Sequence, residues 1–130
     1  MTGKGNAIKT KQLNVLYVED DKNLIESMQF FLNRTFNKSY IAIDGLDGLD
    51  VFKTNINDID LIITDIDMPG INGIEMIEEI RKLNANIPIY VTSAEDEYKP
   101  AAMELNVIEF FQKPIIDLFK IAETINKNFS

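Results

Sequence analysis

The stretch Asp60–Glu75, DLIITDIDMPGINGIE, decides how this chain folds. Leu61, Ile62 and Ile63 form an unbroken apolar run, the pattern of a strand buried on both faces. Asp65 and Asp67 stand where that strand should stop. Met68, Pro69 and Gly70 then force a tight loop before an amphipathic run that begins near Asn72. Acids at the carboxyl end of a buried strand occupy the place where open α/β sheets build their binding crevices. Asp65 is therefore the first candidate for a reactive group.

The same alternation continues on both sides. Upstream, Leu13–Val18 reads as an apolar strand ended by Glu19, Asp20 and Asp21, and Leu24, Ile25, Met28, Phe31, Leu32 and Phe36 follow on one helical stripe. Tyr40–Ile43 reads as a second strand. Asp44-Gly45 opens a helix with Leu49, Phe52 and Ile56 inward, although Gly48 weakens it by about 1 kcal/mol relative to alanine. Downstream, the helix after Asn72 puts Ile74, Ile77 and Ile80 inward and Glu78, Glu79 and Arg81 outward. Ile87–Val91 is the fourth strand, closed by Thr92 and Ser93. A helix over Glu97–Leu105 tolerates Pro100 only in its first turn. Ile108–Gln112 is the fifth strand, Lys113-Pro114 breaks it, and Leu118, Ala122, Ile125 and Phe129 mark a last helix.

Five βα units with apolar strands predict a doubly wound parallel sheet with helices on both faces and right-handed crossovers. In the flavodoxin-like order 2-1-3-4-5, strands one and three are neighbours. Glu19, Asp20 and Asp65 then converge from distant parts of the sequence. At an effective dielectric near 20, each carboxylate pair about 4 Å apart costs about 4 kcal/mol if nothing compensates. A hard divalent cation with oxygen ligands compensates, and Mg2+ suits a few carboxylates, several waters and a phosphate. Thr92 and Lys113 end strands four and five at the same edge. A hydroxyl and an ammonium facing a metal and a carboxylate make a site for a phosphoryl group.

Composition narrows the choice. With 130 residues, 45% of them hydrophobic, the chain reads as one domain over residues 13–130, preceded by a mobile tail over residues 1–12, MTGKGNAIKTKQ. The net charge of -8 argues against nucleic-acid or anionic-membrane partners. There is no cysteine and no histidine, which excludes thiolate sites and histidine-based catalysis or metal ligation. No run approaches membrane-spanning length, and the expectation is a cytoplasmic protein.

Each feature also has a plainer reading. Helix capping accounts for one acid of the Glu19-Asp20-Asp21 triplet, but not for all three. Asp65 alone could be a loop carboxylate bonded to its own turn. Thr92 and Lys113 singly read as surface residues, and Phe110 and Phe111 as core and edge aromatics. Their meeting at one sheet edge is what carries the functional reading.

VLYVEDD at the first strand, LIITDIDMPGINGIE at the third, VTSA at the fourth and FFQKP at the fifth resemble the receiver domains of two-component response regulators. The resemblance covers Leu13–Phe129, with the motifs in family order. It implies that Asp65 accepts a phosphoryl group from a sensor histidine kinase or phosphotransfer protein. Mg2+ would be held by Glu19, Asp20, Asp65 and the Asp67 backbone carbonyl. Thr92 would hydrogen-bond the phosphoryl group and Lys113 would pair with it, while Thr92 and Phe110 act as the switch pair. A cis bond is implied at Lys113-Pro114. The family signals through its fourth helix, fifth strand and fifth helix to an output domain or target protein. It catalyses only its own phosphorylation and dephosphorylation.

Some positions depart from the family pattern. Glu19 replaces the usual Asp, and Asp67 and Ala94 sit where the family varies and tunes the lifetime of the phosphorylated state. The last helix has Lys120 and Lys127 but no Arg, so a weak homodimer stays open. A phosphatase reading takes Asp65-Ile66-Asp67 as the DxD of haloacid-dehalogenase-like enzymes, which place it after the first strand rather than the third. A topoisomerase-primase (Toprim-like) metal site would expect a basic surface. Flavin binding is disfavoured by acids in the first loop. A receiver fold that has stopped accepting phosphate is a further class, but the full residue set is present. The sequence carries no output domain after Ser130, which fits either a single-domain regulator or a fragment of a longer regulator or hybrid kinase.

Overall fold

The buried strands pair in register into one five-stranded parallel sheet. In this computed structural model, which describes residues 9–115 and 117–129, the strands are β1 (Asn14–Val18), β2 (Lys38–Ala42), β3 (Leu61–Asp65), β4 (Ile89–Ser93) and β5 (Glu109–Gln112). Their order is β2-β1-β3-β4-β5, the flavodoxin-like order that the sequence predicts. The helices are α1 (Lys22–Thr35), α2 (Gly45–Thr54), α3 (Gly73–Leu83), α4 (Lys99–Glu104) and α5 (Leu118–Asn128).

Alternation along each strand splits the apolar residues between two cores. Val15 and Tyr17 of β1 and Leu61 and Ile63 of β3 join Met28 and Leu32 of α1 and Ile121 and Ile125 of α5. Leu16, Val18 and Ile62 join Phe52 of α2, Met76, Ile77 and Ile80 of α3 and Ala102 of α4 on the other face. Central strands covered on both sides need no polar face, which is why β3 and β4 are buried throughout.

Local chemistry sets the helix starts. Asp21 caps α1 by accepting from the Asn23 and Leu24 amides at 2.9 and 3.3 Å. Asp44 caps α2 through the Asp47 amide, and Asn72 with Glu75 forms a reciprocal capping box at α3. Gly48 has a packing reason: a Cβ there would lie 2.7 Å from Met76 Sδ and 3.0 Å from Val18 Cγ2. The helix gives up about 1 kcal/mol of propensity and gains close contact with the sheet and α3.

Beyond shifts of one or two residues where β1, β4 and β5 begin, several details differ from the sequence reading. β2 runs over Lys38–Ala42 rather than Tyr40–Ile43, because the ladder to β1 begins at Asn14 and Lys38, and an edge strand tolerates polar residues. The helix expected over Glu97–Leu105 is a 3-10 turn at Asp96–Tyr98 and the six-residue α4, with Pro100 in its first turn. Thr92 and Ser93 lie inside β4 rather than after it. Arg81 is half-buried rather than outward. Its guanidinium donates to the Leu105, Ile87, Asn106 and Asn84 carbonyls at 2.8, 2.7, 3.2 and 3.4 Å, tying the end of α3 to the loops before β4 and β5. Of the expected tail, residues 1–8 lie outside the described residues, and Thr10–Gln12 form one 3-10 turn with Thr10 buried.

Candidate functional site

The carboxyl ends of β1, β3, β4 and β5 bring together groups that are far apart in sequence. Glu19 follows β1, Asp65 ends β3, Thr92 lies in β4 and Lys113 follows β5. Asp65 and Thr92 are register partners across β3 and β4. One carboxylate oxygen from each of Glu19, Asp20 and Asp65 lies within 4.8 Å of the other two. Glu19 and Asp65 are 1% and 4% exposed, whereas Asp20 reaches solvent. The third acid of the triplet, Asp21, is spent on capping α1 and lies outside this cluster.

Lys113 holds the cluster together. Its ammonium lies 3.0 Å from Glu19 Oε1 and 3.2 Å from Asp65 Oδ2. Asp65 Oδ1 accepts from the Ile66 amide at 2.8 Å, and Glu19 Oε2 from the Asp21 amide at 3.2 Å. Burial pushes both carboxyls above their usual range, partly opposed by Lys113. Burial also works against the Lys113 charge, but Glu19 and Asp65 outweigh it and raise that group. One cation facing three acids leaves a formal charge of -2, which a divalent ion with oxygen ligands would cancel. The donor set fits Mg2+ for that reason.

Thr92 supplies the remaining group. It is 3% exposed, and its Oγ1 has no hydrogen-bond partner among the described residues. A buried hydroxyl without a partner is costly, so its position beside Asp65 and Lys113 calls for an acceptor from a bound group. The loop after β3 is drawn tight by Gly73. A Cβ there would lie 2.3 Å from the Asp65 carbonyl oxygen, so α3 can start this close to the strand end only with glycine.

The sequence matches the response regulator receiver domain over residues 15–126. The chain belongs to that family. The receiver is 34% identical over 101 residues to the response regulator ArlR of Staphylococcus aureus, a match covering 77% of this chain and 45% of ArlR. The chain thus spans less than half the length of that curated relative. A receiver domain protein from Clostridium thermocellum is 25% identical with a TM-score of 0.81, covering 88% of this chain and 92% of the other. A chain in the CheX-CheY-BeF3-Mg2+ complex from Borrelia burgdorferi is 26% identical with a TM-score of 0.81, covering 91% and 90%.

The other candidate residues of the receiver fall as follows. Asp67 is exposed in the β3–α3 loop and is not among the three clustered acids. Phe110 is buried in the core under α4, pairing in register with Val91. The Lys113–Pro114 peptide bond is cis. No helix among the described residues is long and apolar enough to cross a membrane.

Sequence reasoning passed over Tyr17, counted there only as part of an apolar strand. Its hydroxyl faces the Glu19 carboxylate, and burial together with Glu19, Asp65 and Asp21 pushes the phenol above its usual range. The signal was available, since residues i and i+2 of a strand share a face.

Proposed function

We propose that this receiver domain accepts a phosphoryl group on Asp65 from the phosphohistidine of a histidine kinase or phosphotransfer protein in the cytoplasm. The change would pass to an output domain or target protein through α4, β5 and α5. The single observation that carries the reading is Lys113 paired with both Glu19 and Asp65 beside the unpartnered Thr92 hydroxyl.

Phosphoryl transfer has a loose, in-line transition state, so positioning and charge neutralisation matter more than acid-base work. A chain without histidine can therefore run it. Asp65 supplies the attacking oxygen, the P–N bond to the donor breaks, and the electron pair leaves on the imidazole. Glu19, Asp20 and Asp65 would hold Mg2+, with the Asp67 backbone carbonyl as the further ligand that the family pattern implies. Bound there, the ion supplies charge neutralisation for the transferring group.

Phosphorylation adds negative charge, which Lys113 and the Thr92 hydroxyl would share. Thr92 drawn toward the phosphoryl group brings the start of the β4–α4 loop with it, and Phe110, buried beside β4, is held inward. The output face offers apolar contacts for a partner: Met103 on α4, Ile108 just before β5 and Phe119 on α5 are all exposed. The receiver would modify only itself, taking the phosphoryl group onto Asp65 and losing it there by hydrolysis. Borohydride reduction after incubation with acetyl phosphate and Mg2+ tests the assignment. Peptide mass spectrometry should find homoserine at position 65; homoserine elsewhere, or none, contradicts it.

A further inference from the structure

A cavity of about 450 Å3 opens beside the phosphorylation site, between α1 and the β5–α5 connection. Leu24 and Met28 line it from α1, and Ile115 and Leu118 from the segment after β5. Thr92 and Lys113 line it as well, although the acids they face do not. The cavity is thus apolar along its walls and polar at one end. Its size lies within the range of small-molecule sites.

Resting on the reading of Asp65 as the acceptor, we infer that this cavity is a leaving-group pocket favouring small phosphodonors with a compact apolar leaving group, such as aromatic acyl phosphates. A phosphoryl group held by Thr92 and Lys113 stands at the inner end of the cavity. In an in-line displacement the leaving group lies across the phosphorus from the attacking oxygen. It must then rest in solvent or against these walls. The Lys113 ammonium is paired with Glu19 and Asp65 at 3.0 and 3.2 Å, and Thr92 Oγ1, nearly fully buried, has no hydrogen-bond partner among the described residues.

The step balances without a further reactant. An Asp65 carboxylate oxygen forms the new bond to phosphorus, and the bond from phosphorus to the acyl oxygen breaks. The electron pair leaves on the released carboxylate, and no proton moves. Burying a phenyl ring against apolar walls favours the aromatic donor by about tenfold or more.

Ser27 offers a way to fill the cavity from outside. It lines the opening from an exposed position on α1, where its hydroxyl donates to the Asn23 carbonyl at 2.7 Å. Ser27→Trp would place an indole in this space from the exposed side of α1. The experiment measures second-order phosphorylation rates by intact mass for benzoyl phosphate and acetyl phosphate, each corrected for the donor's reactivity in buffer. The wild-type ratio should favour benzoyl phosphate by about tenfold or more, and Ser27→Trp should bring it close to one. Equal rates in the wild type, or a preference that survives Ser27→Trp, overturn the inference. No mass gain with either donor overturns the Asp65 assignment itself, and this inference with it. Binding of phenylphosphonate against methylphosphonate, followed by amide shifts at Met28 and Leu118, gives an independent reading. A preference for the phenyl compound there supports the pocket, and shifts confined to Lys113 contradict it.

Discussion

The Lys113 ammonium lies 3.0 Å from Glu19 Oε1 and 3.2 Å from Asp65 Oδ2, so one cation bridges the ends of β1 and β3. Glu19 reaches it from a fully buried position through one methylene more than the aspartate usual in the family. Losing the Glu19 charge should weaken Mg2+ binding as well as this bridge. Glu19→Gln is expected to raise the Mg2+ dissociation constant by about tenfold or more, while Glu19→Asp stays within about threefold. Isothermal titration calorimetry distinguishes the two. Equal affinities in all three proteins would remove Glu19 from the metal site.

Asp65 is buried among like charges, which makes it a liability without metal. Its folded pKa is raised mainly by burial, so metal-free stability contributed through Asp65 falls as pH rises from its ordinary range through the raised value. Asp65→Asn removes that penalty. In EDTA at neutral pH the variant should be more stable by about 1 kcal/mol, roughly 3 °C in Tm. Mg2+ should raise the Tm of the wild type more than that of Asp65→Asn. A lower Tm for the variant in EDTA would contradict the reading.

At the opposite end of the sheet the sign reverses. Asp58 accepts from the Tyr40 hydroxyl and from Lys38 Nζ, the latter at 2.9 Å, and these partners lower its pKa. Stability through Asp58 is present above the ordinary aspartate pKa and is lost as pH falls through the depressed value. Asp58→Asn should therefore flatten the acid limb of the Tm-against-pH curve without altering phosphorylation of Asp65. An acid limb unchanged by the substitution would show that this cluster contributes nothing.

Arg81 was misread from sequence for a definable reason. Helical periodicity places it on the outer side of α3, but periodicity carries no information about the carbonyls of the loops packed beside that helix. Arg81→Ala leaves those carbonyls without their charged donor and should cost about 2 kcal/mol in urea unfolding. Arg81→Lys should rescue little, because an ammonium cannot reproduce the planar fork. Full rescue by lysine would mean that charge alone matters here.

The same contrast explains what else was legible. The apolar runs of β1, β3 and β4 and the acids that end them state strand, burial and edge in one pattern, and the meeting of Glu19, Asp20 and Asp65 follows from the flavodoxin-like order that five βα units suggest. Lys113 and Thr92 were legible only through their positions relative to those strands. Tyr17 was hidden inside an apolar run, where an aromatic reads as core. The polar start of β2 and the shortness of α4 depend on ladder register and on Pro100, which local propensity weighs poorly.

Phosphorylation should also be visible at a distance. Beryllofluoride with Mg2+ mimics the phosphoryl group, and amide resonances of α4, β5 and α5 should shift on its addition, with smaller shifts in α2. Shifts limited to the loops around Asp65 would rule out signalling through that face.

Asp67 offers a second handle on the cycle. Its carboxylate is exposed two residues past Asp65, and under the proposed function it would add negative charge near the water that hydrolyses the aspartyl phosphate. Asp67→Asn should change the dephosphorylation rate by about threefold or more. An unchanged rate would refute that role.

The most direct test of the central claim is the intact mass of the protein after incubation with acetyl phosphate and Mg2+, beside Asp65→Asn treated in the same way. The wild type should gain the mass of one phosphoryl group and lose it again when the donor is removed, and Asp65→Asn should gain nothing. A wild type that never gains that mass, or an Asp65→Asn variant that gains it equally, would contradict the account.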